Sequence, residues 1–169
     1  MAIWNQRRFS DRDTATALWL PKGTLPRTYV VSSYWDILDE AIPEKIQQVV
    51  TEARRTKFEM IMMMDSNAHT TLTGSESSNK RGKLLEQFII SNGLEIINQG
   101  TDLTYESPLG KSRIDITLAT PGIAQHLHKW RVNNELNHSD HHTIEFNIKT
   151  LEPTRSFKRN FKKLNLPEF

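Results

Sequence analysis

A chain of 169 residues and 19.6 kDa has room for one ordinary domain and a tail. Apolar residues make up 37% of it and only 7 glycines add to them, short of the roughly 45–50% of a typical globule, so the domain is unusually polar or incomplete. Zero cysteines exclude disulfide, iron–sulfur and thiolate–zinc frameworks, and a formal net charge of +2 excludes a polycation.

Thr14–Leu20 and Tyr29–Trp35 are rich in β-branched and aromatic residues and read as strands, with Pro21, Gly23 and Pro26 punctuating the gap. A helix follows: Pro43 suits its first turn, and Ile42, Ile46, Val49, Val50 and Ala53 recur with helical period. Glu59–Asp65 (EMIMMMD) is a near-continuous apolar run ended by an acid, the pattern of a strand buried on both faces. Its apolar core, Met60–Met64, is far below the roughly 18–20 residues of a membrane span. After the polar loop Thr70–Asn79, a second helix runs through Leu84, Leu85, Phe88 and Ile89 and stops at Asn92-Gly93. Leu94–Asn98, Leu103–Glu106, Arg113–Ala119, Trp130–Val132 and Thr143–Ile148 are short strand candidates. Strands with two amphipathic helices between them predict a layered α/β sandwich, two packed mixed sheets flanked by helices. Residues 1–150 read as one domain, and 151–169 as a polar, basic tail or linker.

Groups capable of chemistry sit at or near strand ends three times. Asp65-Ser66-Asn67 follows the most apolar strand, Asp115 lies in the Arg113–Ala119 strand, and Ser139-Asp140-His141-His142 precedes the last strand. Each has a plain alternative: a turn for the first, a solvent-facing pleat position for the second, a surface histidine for the third. Five histidines fall between His126 and His142, but none forms an HExxH frame and no cysteine assists, which argues against zinc. Taken together, the three segments suit metal-assisted phosphodiester hydrolysis. A carboxylate offers Mg²⁺ a hard ligand, an amide can donate to a phosphate oxygen, and a second carboxylate can fix a histidine's tautomer.

Four stretches together resemble the endonuclease/exonuclease/phosphatase superfamily, and within it the apurinic-like endonuclease domain of LINE-type (non-LTR) retrotransposons. They are MMMDSNAH (Met62–His69), NKRGKLLEQFIISNGLEIIN (Asn79–Asn98), SRIDITLAT (Ser112–Thr120) and SDHHTIEFNI (Ser139–Ile148). The resemblance implies that Asp65 orients or deprotonates the attacking water and that Asn67 holds the scissile phosphate. His141 would stabilise the transition state with Asp115 bonded to its ring, and Tyr34 would reach the phosphate. Asp140 and Asp65 would be the carboxylates on the metal side, the metal being Mg²⁺ with Mn²⁺ as an alternative. Arg81 and Ser139 would be structural neighbours of the site.

One departure bears on activity. Members of that family open with a strand bearing an Asn and a second strand ending in Gln-Glu, whose Glu is a principal metal ligand. Neither has a counterpart here, and Asn5-Gln6 is not expected to substitute, because no strand is expected before it. The resemblance therefore implies a domain incomplete at its N-terminus with impaired activity. Arg155, Lys158, Arg159, Lys162 and Lys163 form an acid-free cluster that suits DNA phosphates and resembles the segment leading into a reverse transcriptase. The expected function is DNA nicking by part of a retrotransposon polyprotein. The alternatives are a non-catalytic nucleic-acid-binding remnant or a phosphatase of the same superfamily. With no secretion-signal core in MAIWNQRRFSDRD, the expected setting is intracellular, nuclear when DNA is engaged, and not a membrane.

Overall fold

The structure, a computed structural model, describes residues 2–133, 135 and 137–150. The basic cluster Arg155–Lys163 lies outside the described residues. Among the described residues ten strands and three α-helices succeed one another as β1 (Ala2–Asn5), β2 (Thr14–Leu20), β3 (Thr28–Tyr34), α1 (Glu44–Thr56), β4 (Glu59–Asp65), α2 (Lys80–Asn92), β5 (Glu95–Ile96), β6 (Tyr105–Ser107), β7 (Gly110–Ser112), β8 (Asp115–Ala119), α3 (Pro121–Ala124), β9 (Leu127–Asn133) and β10 (Thr143–Ile148).

A mixed sheet of six strands runs in the order β1-β2-β3-β4-β8-β5. β3 and β4 are parallel, joined through α1, and every other pair in the sheet is antiparallel. The apolar run of β4 is explained by its central place, with side chains buried on both faces. Met60, Met62 and Met64 share one core with Tyr29, Val31, Ile116 and Leu118 under α1 and α2. Ile61 shares the opposite core with Ala119, Trp130 and Val132. α1 sends Ile46, Val49, Val50 and Ala53 into the first core. α2 is capped by the Asn79 side chain, whose oxygen accepts from the Gly82 N–H at 2.8 Å. It ends at Gly93 in the left-handed conformation (φ 58°).

The second layer is smaller than two full mixed sheets. It is the antiparallel pair β9–β10, packed on the face opposite α1 and α2 through Leu127, Trp130, Val132, Ile144 and Phe146, with Ile123 and Ala124 of α3 in the same core. The Trp130 indole donates to the Thr117 hydroxyl at 3.0 Å, tying this layer to the sheet below. β6 and β7 form a separate hairpin.

Two expectations need correction. A strand does precede Asn5: β1 pairs antiparallel with β2 as an edge strand, with Ile3 and Trp4 each 61% exposed. Three apolar residues suffice because β2 supplies the hydrogen bonds, yet β2 and β3 separate Asn5 from β4. The stretch Arg113–Ala119 is also not one strand. β8 begins at Asp115, and Ser112 closes the hairpin strand before it. Arg113 turns its guanidinium away, to the carbonyls of Thr101 and Gly74, where it ties two loops.

Gly82 sits where α2 meets the chain leaving β4. A Cβ there would lie 1.9 Å from the His69 carbonyl oxygen, so that helix and loop could no longer touch. Gly82→Ala is expected to lower the urea-unfolding free energy by about 2 kcal/mol or more through forced separation of the two backbones.

Candidate active site

Strand register assembles the first part of the site. Tyr34 at the end of β3 is level with Asp65 at the end of β4, and Asp65 is level with Asp115 at the start of β8. Directly paired residues share a sheet face, so the three side chains form a row across the sheet. Tyr34 is 39% exposed; the two acids are more enclosed, with side-chain exposures of 19% and 16%.

His141 arrives from the other layer. It precedes β10 and forms a bridge to Tyr105 of β6; the two rings meet edge to face, centroids 4.9 Å apart. Its Nδ1 lies 3.1 Å from both Asp115 oxygens. An ionised carboxylate can only accept, so Nδ1 carries the hydrogen and Nε2 is left for other work. That Nε2 is 3.6 Å from the Asp65 Oδ2. Ligand atoms of Asp65, Asp115 and His141 all lie within 4.8 Å of one another.

Backbone contacts hold the carboxylates in place. The Asp115 N–H donates to the Thr104 hydroxyl at 3.1 Å, and its carbonyl accepts from the Asn98 amide at 3.0 Å. The Asn98 oxygen in turn accepts from the Thr117 N–H at 2.7 Å, so one side chain extends the ladder where β5 has ended. After Asp65 the chain turns sharply. Ser66 donates twice to the Ile114 carbonyl, from its N–H at 2.9 Å and from its hydroxyl at 2.6 Å. Asn67 adopts a left-handed backbone (φ 46°), which asparagine tolerates better than most residues. Its N–H donates to the Asp65 Oδ1 at 3.2 Å, and its amide donates to the Trp35 carbonyl at 3.1 Å.

The sequence-expected residues thus divide. Asp65, Asp115 and His141 converge, Tyr34 stands in the same row, and Asn67 lies on the turn with one amide hydrogen engaged by Trp35. Asp140 is exposed and is not one of the three clustered groups; its carbonyl accepts from the Glu106 N–H at 2.8 Å. Sequence reasoning missed Thr104, Tyr105 and Asn98, which orient the acid and the imidazole. Nothing in their spacing marks them, since each acts through a fold contact remote in sequence. A cavity of about 360 Å³ opens beside the row, lined by Ser32, Met63, Asp65, Asp115, His141 and Phe146 among others.

Burial, and then the adjacent Asp115, push the Asp65 pKa above the ordinary carboxylate value; the Asn67 N–H, His141 and Arg81 oppose the shift. The folded state therefore holds this proton more tightly than the unfolded chain. Its contribution to stability is fully present below the ordinary carboxylate range and is lost as pH rises through the raised value. Asp65→Asn keeps an acceptor for the Asn67 N–H and removes the charge. Measured by urea unfolding without divalent ions, the variant is expected to be more stable than wild type at pH 7, with the gap closing toward pH ~3.

Comparison with known proteins identifies the family and the fold. Residues 28–145 match the model of a family described as endonuclease-reverse transcriptase. Among solved structures, the endonuclease domain of TRAS1, a telomere-specific non-LTR retrotransposon, superposes with a TM-score of 0.77 at 25% identity, over 89% of this chain and 70% of that one. A 3′ phosphatase from Neisseria, bound to a product DNA hairpin, gives a TM-score of 0.59 at 16% identity, over 82% of this chain and 65% of that one. An AP endonuclease from Leishmania major gives 0.58 at 12% identity, over 82% of this chain and 55% of that one. These last two likenesses concern the fold. A search of curated protein sequences finds no match.

Proposed function

Because this chain belongs to the endonuclease-reverse transcriptase family, we propose that it is the DNA-nicking endonuclease part of a retrotransposon polyprotein, hydrolysing a phosphodiester with the help of a divalent ion. The observation that carries the reading is the meeting of Asp65, Asp115 and His141, three groups from distant parts of the chain, within 4.8 Å at the mouth of a cavity.

In this reading Asp115 accepts from the imidazole Nδ1–H, fixing the ring's tautomer and orientation. His141 Nε2 then faces a phosphoryl oxygen, where a proton or a positive charge offsets the charge that develops in the transition state. Asp65, with its proton affinity raised, orients the attacking water and takes its proton. Asn67 keeps one amide hydrogen for the phosphate, and Tyr34 adds a hydroxyl at the rim. The donor set suits Mg²⁺ or Mn²⁺: Asp65 and Asp115 would hold the ion by hard oxygens, with waters and substrate phosphate completing its shell. When bound, the ion supplies charge neutralisation and a more acidic water. Asp140 stands outside this set.

DNA is the expected partner, and a reverse transcriptase the expected neighbour in a polyprotein; the nucleus is then the place of action. The cluster Arg155, Lys158, Arg159, Lys162 and Lys163 would add phosphate contacts, with salt dependence as its signature. Activity of this chain alone is expected to be weak, since among the described residues the sheet over the acid-bearing face is the single pair β9–β10. That thin second layer also favours the alternative of a nucleic-acid-binding remnant without catalysis.

Nicking of supercoiled plasmid distinguishes the readings. Open circles are expected only with Mg²⁺ or Mn²⁺, and His141→Ala is expected to slow their formation on the order of a hundredfold. Nicking that ignores both chelator and the substitution overturns the mechanism. Salt-sensitive DNA binding with no nicking assigns the remnant reading instead.

A further inference from the structure

Arg81 occupies a position that helix energetics do not favour. It lies in the first turn of α2, where no acid is present and Lys80 and Lys83 add like charge, although a helix N-terminus prefers anions. Its guanidinium is partly withdrawn from water, which lowers its pKa despite three nearby aspartates. Its Nε is buried without a hydrogen-bond partner. Where a local preference is broken this way, a compensating role is the expected reason.

That role is visible in what the guanidinium touches. It stacks over the fully buried Trp35 ring, 3.9 Å from the centroid. Its two terminal nitrogens donate to backbone carbonyls on both sides of the site. Those of Trp35 (2.9 Å), Asp36 (3.2 Å) and Asp39 (2.5 Å) belong to the loop after β3. That of Ser66 (3.3 Å) belongs to the turn after β4. The same two segments already hold each other through the catalytic groups: the Trp35 N–H donates to the Asp65 carbonyl at 2.9 Å, and the Trp35 carbonyl accepts from the Asn67 amide. Trp35 follows Tyr34 directly. One planar cation therefore grips the joint from which Tyr34, Asp65 and Asn67 all project.

We infer that Arg81 is a positioning residue for hydrolysis, a clasp that locks the Asp65–Asn67 turn to the Trp35–Asp39 loop and so fixes the acid and amide at the phosphate. Lysine cannot replace it, because an ammonium lacks the flat fork that reaches several carbonyls while stacking on an indole. The inference rests on the hydrolase reading for its catalytic consequence, whereas the clasp itself is a property of the fold.

The test applies amide hydrogen exchange and plasmid-nicking kinetics to the whole 169-residue chain as wild type, Arg81→Lys and Arg81→Ala. The Trp35 and Asn67 amides are expected to exchange at least about tenfold faster in both variants, while β4 and the later turns of α2 keep wild-type protection. kcat is expected to fall on the order of a hundredfold with KM within about threefold, the pattern of lost alignment rather than lost binding. Methylguanidinium at millimolar concentration should restore part of the Arg81→Ala rate. Unchanged exchange at Trp35 and Asn67 overturns the clasp, and kcat within about threefold of wild type overturns its role in positioning. Should wild type fail to nick, the hydrolase reading falls while exchange still decides the clasp. If Arg81→Ala does not fold, Arg81→Lys, which keeps the stem and the charge, carries the comparison.

Discussion

The pairing of β4 with β8 sets Asp65 opposite Asp115, and the rest of the site is arranged around that juxtaposition. Like charges at directly paired positions of neighbouring strands repel, and here the two carboxylates are also largely withdrawn from water. The register is nevertheless held, because sliding β8 by one residue would carry Ile116 and Leu118 out of the helix-covered core and Thr117 and Ala119 into it. Apolar packing thus forces the acids together. The result is a carboxylate that binds its proton unusually well beside one committed to an imidazole.

His141 relieves the repulsion from the side. Its ring joins the two acids, hydrogen-bonded to Asp115 and facing Asp65, and Tyr105 packs against its edge. Because His141 belongs to the segment entering β10, the histidine is only as well placed as the β9–β10 layer beneath it. The Trp130–Thr117 hydrogen bond and the apolar contacts around Ile144 and Phe146 thereby help to place the imidazole, and Thr117, Ile144 and Phe146 also line the cavity beside it. The polar contacts of Asn98 and Thr104 do the same for Asp115, and those of Arg81 for the turn carrying Asp65 and Asn67.

Much of this was legible from residue patterns alone. The run Glu59–Asp65 announced a doubly buried strand ending in an acid, and the periodic apolar residues announced α1 and α2. The four motif segments by themselves point to one hydrolase fold. Edges and short pieces were not legible. β1 has too few apolar residues to be read locally and exists because β2 offers it a ladder. β5 keeps only Glu95 and Ile96 of the expected Leu94–Asn98, since Asn98 bonds to β8 with its side chain instead of its backbone. The second layer, expected to lack its opening strands, is the single pair β9–β10.

The sequence by itself determined which groups could do chemistry and which strands and helices would carry them, because side-chain type and apolar period act within a few residues. Only the tertiary structure decided which of those groups meet. Asp140 and His141 are neighbours in the chain, yet just one joins the cluster, since the bridge to Tyr105 turns the imidazole toward Asp115 and leaves Asp140 in solvent. Arg81 reads as one of several cations on a helix until the fold brings five carbonyls from two loops around it. Such assignments depend on contacts between residues tens of positions apart, and those contacts are set by the packing of the whole sheet.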